Sequence, residues 1–209
     1  MTDFAVASAY DTRAAEYIEV LGDIAQMDAA DRALIGEWRD ATEGRLLDAG
    51  SGPGHWTAFL NDGHHEACGI DLSAEFVASA QERHPSIRFE VGTIREMPYA
   101  DDEFGGVLAW YSLIHARPEE LTEMVDELIR VLRPGGSILI GYFDGPPHES
   151  FAHAVAPAYF WSAESLSQLL ADAGAEVVRS ERRERVAGEL SSRAHGSVIA
   201  VKAAAPMPR

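Results

Sequence analysis

The segment Leu46-Leu47-Asp48-Ala49-Gly50-Ser51-Gly52-Pro53-Gly54-His55 sets three glycines between an apolar run and an amphipathic stretch. Glycine lets a backbone turn tightly and lets a ligand approach the main chain. A strand-to-helix turn of this composition can therefore hold a small molecule. The glycines are Gly50, Gly52 and Gly54, and His55 stands where the dinucleotide fingerprint Gly-x-Gly-x-x-Gly has its last glycine. Pro53 stiffens the turn and removes a backbone donor. Both features count against cradling a pyrophosphate, and hence against a nicotinamide-dependent oxidoreductase. Further along, Gly69-Ile70-Asp71-Leu72-Ser73 ends a second apolar run in a carboxylate. Asp71 can accept both hydroxyls of a ribose. It can also cap the following helix, a job that Ser73 does as well.

His115 is the candidate general base. It closes Tyr111-Ser112-Leu113-Ile114-His115, just past the apolar run Phe104 to Trp110. Packing, or capping of the next helix, is the alternative role. No set of His, Cys or carboxylate residues has metal-ligand spacing, and the adjacent His64-His65 pair in a loop is poor ligand geometry, so no catalytic metal is expected. The segment Asp144-Gly145-Pro146-Pro147-His148, continuing through Phe151, His153, Tyr159, Phe160 and Trp161, is unusually rich in aromatics, histidines and prolines for a connector. A lid over an apolar or aromatic substrate explains it; a contact in a homodimer explains it too, and Trp161 alone suits packing on the sheet. Trp56 and Trp110 admit the same two roles, packing or ligand contact.

Regular elements must carry these groups. Apolar spacing predicts a helix from Ala5 to Leu21 and another from Ala29 to Ala41 capped by Asp28. Short apolar runs then alternate with amphipathic stretches: strands over Arg45–Ala49, Glu66–Ile70, Ile87–Val91, Phe104–Trp110 and Ser137–Phe143, with helices over His55–Asn61, Ser73–Arg83 and Pro118–Leu132. Pro85 ends the helix to Arg83, and Pro134-Gly135-Gly136 stops the one to Leu132. This alternation gives a doubly wound α/β fold, a mostly parallel sheet covered on both faces. Ligands of such sheets bind outside the carboxyl ends of the strands. The tail departs from the pattern: a helix from Ala163 to Ala173 leads to two successive strands near Glu176–Arg182 and Ser197–Lys202, an antiparallel hairpin at the sheet edge. Ala203–Arg209 reads as a frayed end.

The 209 residues suit a single domain. We divide it into an N-terminal helical cap (1–43), a ligand-binding core (44–143), a lid (144–162) and a C-terminal helix and hairpin (163–203). The chain carries 34 acidic and 17 basic residues, a formal net charge of -17. That field repels phosphate backbones and anionic headgroups, so nucleic acid and membrane surfaces are not expected partners. The single cysteine, Cys68, sits in an apolar stretch and suits a buried strand position. No early hydrophobic run resembles a signal peptide and none approaches a membrane span, so a cytoplasmic protein is expected.

Four pieces in order carry a family resemblance: LLDAGSGPG (46–54), GIDLS (69–73), FEVGTIREMPYADDEFGGVLAWYSLIH (89–115) and ELIRVLRPGGSILIG (127–141). From Leu46 to Phe143 the chain resembles the small class I S-adenosylmethionine-dependent methyltransferases of the ubiquinone-biosynthesis type. The resemblance implies a seven-stranded Rossmann-like sheet, S-adenosylmethionine as methyl donor with S-adenosylhomocysteine as product, and a small-molecule methyl acceptor. It places Gly50, Ser51, Gly52 and Gly54 beside the methionine part and ribose, with Trp56 and Ser73 close by. Asp71 would hold the ribose hydroxyls and Leu72 pack on adenine. Thr93 and Ile94 would meet the adenine ring, although most relatives carry an acidic residue where this chain has Thr93. Ala109, Trp110 and Tyr111 would lie near the sulfonium. Some related phosphobase methyltransferases pair a histidine at the His115 position with a tyrosine from the N-terminal segment, a part open here to Tyr10 or Tyr17. Two readings stand beside methyl transfer: a non-catalytic binder of the donor, and a sister enzyme that uses the same fold for cyclisation.

Overall fold

The structure is a computed structural model, and it describes residues 2–184 and 193–204. Of the expected frayed end, residues 205–209 lie outside the described residues. Two helices come first, α1 (Asp3–Leu21) and α2 (Ala29–Asp40), separated by a short 3-10 turn at Ile24–Gln26. Then follow β1 (Leu46–Ala49), α3 (His55–Leu60), β2 (Ala67–Asp71), α4 (Ala74–Arg83), β3 (Arg88–Val91), β4 (Phe104–Trp110), α5 (Pro118–Val131) and β5 (Leu132–Phe143). The short strands β6 (Ser150–Phe151) and β7 (Ala158–Tyr159), α6 (Ala163–Asp172), β8 (Ala175–Arg183) and β9 (His195–Lys202) complete the chain. The main sheet has seven strands in the order β3-β2-β1-β4-β5-β9-β8. Its first five are parallel; β9 runs antiparallel to β5, and the edge strand β8 runs antiparallel to β9 and so in the same direction as the first five. The fold is thus the doubly wound one that the alternation implies and the seven-stranded Rossmann-like one that the resemblance implies, with the strand order reversing between β1 and β4.

Strand side chains alternate between the two faces, so each face builds its own core. Leu46, Leu108 and Leu139 pack with Ile35 and Trp38 of α2 and Trp56 and Leu60 of α3. Their neighbours Leu47, Val107, Ala109, Ile138 and Ile140 pack on the other face against Leu121, Val125 and Leu128 of α5 and Leu166 and Leu170 of α6. Burial on both faces explains why these strands read as continuous apolar runs.

Strand β5 starts five residues earlier than the sequence suggests. Phe104 pairs with Leu132 and Gly106 with Ser137, so residues 133–136 loop out of the ladder. The Pro134-Gly135-Gly136 breaker therefore ends the helix and also makes a bulge within the strand. Helix α1 lies across the carboxyl end of the sheet. Tyr10 and Tyr17 pack at a tilt against Phe76 of α4, with ring centroids 5.6 and 5.2 Å apart. No described helix is long and apolar enough to cross a membrane.

Candidate active site

A cavity of about 1080 Å³ opens at the carboxyl ends of β1, β2 and β4, at the point where strand order reverses. One end is built on the glycine turn after β1. The backbone N–H groups of Gly50 and Ser51 both donate to the Ile70 carbonyl, at 2.8 and 3.0 Å, tying the turn to β2. Gly50 has φ +84°. A Cβ there would sit 2.2 Å from the Ser112 Cβ, so only glycine lets the loop after β4 close on the turn. Gly54, at φ +85°, is tight for a different reason: its Cβ would meet Phe89 and Ala80. Gly54 therefore faces the packing behind the turn and is not among the cavity-lining residues.

Asp71 joins the two loops. One oxygen accepts the Gly52 N–H at 2.7 Å and the other accepts the Ser73 N–H at 2.8 Å. Burial raises its pKa to about 6, against the pull of those two N–H groups, and the charge of Asp11 adds to the rise. Capping of α4 belongs to Ser73, whose hydroxyl accepts from the Phe76 N–H at 3.1 Å and donates to Asp11 at 2.5 Å. Asp71 is thus left facing the cavity, while Ser73 is fully buried behind it. Beneath the turn, Asp48 accepts from the Thr57 hydroxyl at 2.7 Å. Burial pushes its pKa up to about 7.

Of the residues that the resemblance assigns to the donor, Gly50, Ser51, Gly52, Trp56, Leu72, Thr93, Ile94 and Trp110 line the cavity with Asp71. Ala109 does not: the strand period turns it into the core on the α5 face. The Thr93 hydroxyl donates to Asp3 at 2.5 Å, and Arg95 donates to the other Asp3 oxygen at 3.0 Å. Asp3 itself lines the cavity, so α1 brings a carboxylate to the position where Thr93 lacks one. Ser51 Oγ, Ser112 Oγ and His55 Nδ1 are buried on the same wall with no hydrogen-bond partner among the described residues.

The other end is built by α1 and the loop after β4. His115 Nδ1 lies 2.9 Å from the Pro157 carbonyl, and Nε2 lies 2.8 Å from the Tyr10 hydroxyl. A carbonyl only accepts, so Nδ1 carries the proton and the Tyr10 hydroxyl donates to a bare Nε2. Burial lowers the His115 pKa, opposed by the Pro157 contact. Burial raises that of Tyr10 well above its usual value, with the charges of Tyr17 and Asp71 adding to it. Both groups are therefore neutral near pH 7.

Tyr17 also lines the cavity and packs edge-on against Tyr10 at 5.9 Å, but Tyr10 holds the imidazole. Tyr111, at φ +55°, hydrogen-bonds His195 Nδ1. In the segment 144–162, the stretch Ala152–Val155 reaches the cavity, whereas Trp161 is buried in the main core. His65 is bound to Asp62 and the Thr42 carbonyl, and among the described residues no group of three or more His, Cys, Asp or Glu could hold a metal.

Asp3, His55, Ser112 and His195 line the cavity as well, although no sequence motif assigns them a role. Asp3 and His195 reach the cavity only through long-range packing. His55 and Ser112 adjoin recognised motifs, and an unmatched polar residue beside a glycine turn is the one local signal that could have found them.

Residues 46–136 match a family model described as a methyltransferase domain. The chain is 32% identical over 107 residues to a demethylmenaquinone methyltransferase of Beutenbergia cavernae, covering 51% of this chain and 44% of that protein. It is 34% identical over 132 residues to a malonyl-(acyl-carrier protein) O-methyltransferase of Enterobacter lignolyticus, covering 63% and 51%. The chain thus spans about half the length of the curated relatives it matches. The solved Burkholderia thailandensis 1,6-didemethyltoxoflavin-N1-methyltransferase, with bound 1,6-didemethyltoxoflavin and S-adenosylhomocysteine, superposes with a TM-score of 0.75 at 23% identity, over 97% of this chain and 91% of that one. That likeness is one of fold.

Proposed function

We propose that this chain, which belongs to the class I S-adenosylmethionine-dependent methyltransferases, transfers the donor's methyl group to an oxygen, nitrogen or carbon atom of a small molecule in the cytoplasm. One observation carries the reading: a single cavity is lined both by the glycine turn with Asp71 and by the Tyr10–His115 pair. Its volume, about 1080 Å³, is enough for a donor and a small acceptor together.

The residues present suit the donor. Asp71 has lone pairs beyond those used by Gly52 and Ser73, and these can accept the two ribose hydroxyls. Asp3 stands beside Thr93 and can accept from the adenine amino group, supplying what most relatives of this type carry at the Thr93 position. The hydroxyls of Ser51 and Ser112, without a hydrogen-bond partner among the described residues, lie along the glycine turn, where the methionine part would run. When bound, the donor supplies a methyl carbon activated by its sulfonium charge.

Alignment and exclusion of water are then the protein's main tasks. Segment 144–162 acts as a lid in this reading, since Ala152–Val155 line the cavity and the Pro157 carbonyl fixes the His115 ring. For a hydroxyl acceptor the proton has a path. The acceptor O–H gives its proton to the Tyr10 oxygen as Tyr10 gives its own to His115 Nε2. The imidazolium left behind carries the positive charge that the donor loses. A neutral amine needs no such path before transfer, so the pair favours an oxygen acceptor.

The test is a screen of small phenols, enols and amines with S-adenosylmethionine, read by release of S-adenosylhomocysteine and by product mass. The expected result is equimolar release together with a product heavier by one methyl group. A product of unchanged mass would point to a cyclase, and donor binding without turnover of any acceptor class to a binding protein.

A further inference from the structure

Strands β6 and β7 pair antiparallel, Ser150 with Tyr159 and Phe151 with Ala158, so residues 152–157 form the tip of a hairpin. Among the described residues this tip makes no backbone-to-backbone hydrogen bond. Its carbonyls accept instead from side chains of three other elements. Arg193 Nη2, just before β9, donates to the Ala152 carbonyl at 3.0 Å. Arg13 Nη1, on α1, donates to the Ala154 carbonyl. His115 Nδ1 donates to the Pro157 carbonyl at 2.9 Å. So held, the tip reaches the cavity, with the His153 ring 5.1 Å from His115 and 6.1 Å from Phe143.

Arg13 is aimed by its own helix. Glu16 accepts from Nε at 3.1 Å and from Nη2 at 2.9 and 3.0 Å, which fixes the plane of the guanidinium and turns Nη1 to the hairpin tip. Tyr10 and Arg13 stand three residues apart on α1 and so share a face. One face of α1 therefore reaches both sides of His115. Tyr10 meets Nε2 directly, and Arg13 holds the tip whose Pro157 carbonyl meets Nδ1.

The two contacts on the imidazole are not equivalent. A tyrosine hydroxyl can donate or accept, so Tyr10 suits either tautomer of His115. A carbonyl only accepts, so Pro157 is the contact that decides: it keeps the proton on Nδ1 and leaves Nε2 bare. With the tip displaced, the other tautomer becomes available. Its Nε2 carries the proton, donates to the Tyr10 oxygen and can take no proton from it. Resting on the methyl-transfer reading above, in which His115 is the base, we propose that Arg13 is a positioning residue, which holds the hairpin tip against α1 and so keeps His115 in the tautomer that can accept the Tyr10 proton. Closure of the tip and readiness of the base are then one event.

Nitrogen-15 NMR of the imidazole rings reads the tautomer directly, with the His115 signals assigned by their loss in His115→Gln. The wild type at pH 8 should show Nδ1 protonated and Nε2 bare. Arg13→Met keeps the apolar stem and removes the donor, and Arg13→Ala removes both; each is checked for folding by thermal melting. In both variants the His115 signals should move towards the other tautomer. Amide hydrogen exchange from His153 to Ala156 should quicken about tenfold or more, the scale of one lost hydrogen bond to a charged group, while amides of β4 and β5 keep their protection. Arg13→Lys, whose ammonium can still donate to a carbonyl, should recover part of both effects. A wild type protonated on Nε2, an unchanged tautomer or unchanged exchange in both variants, or a lysine variant no better than alanine would overturn the assignment. These measurements need neither donor nor acceptor, so such a result sinks the role of Arg13 alone. Failure of the same wild-type sample to bind S-adenosylhomocysteine in calorimetry would instead sink the methyl-transfer reading, and with it the catalytic meaning of the tautomer.

Discussion

Replacing His115 with alanine should lower turnover on a hydroxyl acceptor by about 10²–10⁴-fold, the usual contribution of a positioned base. Donor affinity should change little, because His115 belongs to the acceptor end of the cavity. The reason for a large effect lies in the geometry. Nδ1 is fixed by the Pro157 carbonyl, and Nε2 receives the Tyr10 hydroxyl at 2.8 Å. Removing the imidazole leaves Tyr10, whose own pKa burial holds well above 10, with nowhere to pass a proton. Tyr10→Phe should cost a similar amount, and the double variant scarcely more, since residues that act as one unit do not add.

The wild-type rate should also fall in acid, because His115 works in its neutral form. Burial lowers its pKa from the ordinary 6.5, so the fall comes at a pH below that value. A His115 that only packs would give a different pattern: the variant would melt earlier, and its residual rate would keep the wild-type pH profile. Steady-state kinetics against pH, with melting curves for both proteins, separate the two outcomes.

Asp71→Ala should weaken donor binding by roughly 1.5–3 kcal/mol, about 10- to 150-fold, the scale of hydrogen bonds to a charged group. The carboxylate also receives two backbone N–H groups, so alanine removes a tie between the glycine turn and the loop after β2. Asp71→Asn keeps the shape and one acceptor, and serves as the folding control; it should still lose most of the affinity. The pH dependence follows from the raised pKa of about 6. Ribose hydroxyls donate to the ionised form and so lower the pKa of Asp71 in the complex. Donor affinity is therefore full above about pH 6 and is lost as pH falls through that value, and binding near pH 6 releases a proton. Unchanged affinity in both variants would remove Asp71 from the donor site.

Parts of this arrangement are legible in the sequence because they are local. Gly50, Gly52 and Asp71 belong to a turn and a strand end whose chemistry is set by near neighbours. The two-faced burial of β1, β4 and β5 is written in their unbroken apolar runs. Ala109 shows the limit of reading by position: it stands next to Trp110 in the chain, yet the strand period turns it into the opposite face. Gly54 shares the glycine turn but serves its packing against Phe89 and Ala80. The contacts of α1 were harder to read, because they link residues far apart in the chain: Asp3 with Thr93 and Arg95, Asp11 with Ser73, and Tyr10 with His115. The tyrosine–histidine pairing was anticipated only through the family resemblance. His195 was out of reach, since its place depends on the register between β5 and β9.

The glycine turn and Asp71 should bind S-adenosylmethionine rather than a nicotinamide dinucleotide. Titration calorimetry of the wild-type chain at pH 8, first with S-adenosylhomocysteine and then with NAD, tests it most directly. The expected result is a single saturable site for S-adenosylhomocysteine and no heat of binding from NAD. Tight NAD binding with no response to S-adenosylhomocysteine would contradict it.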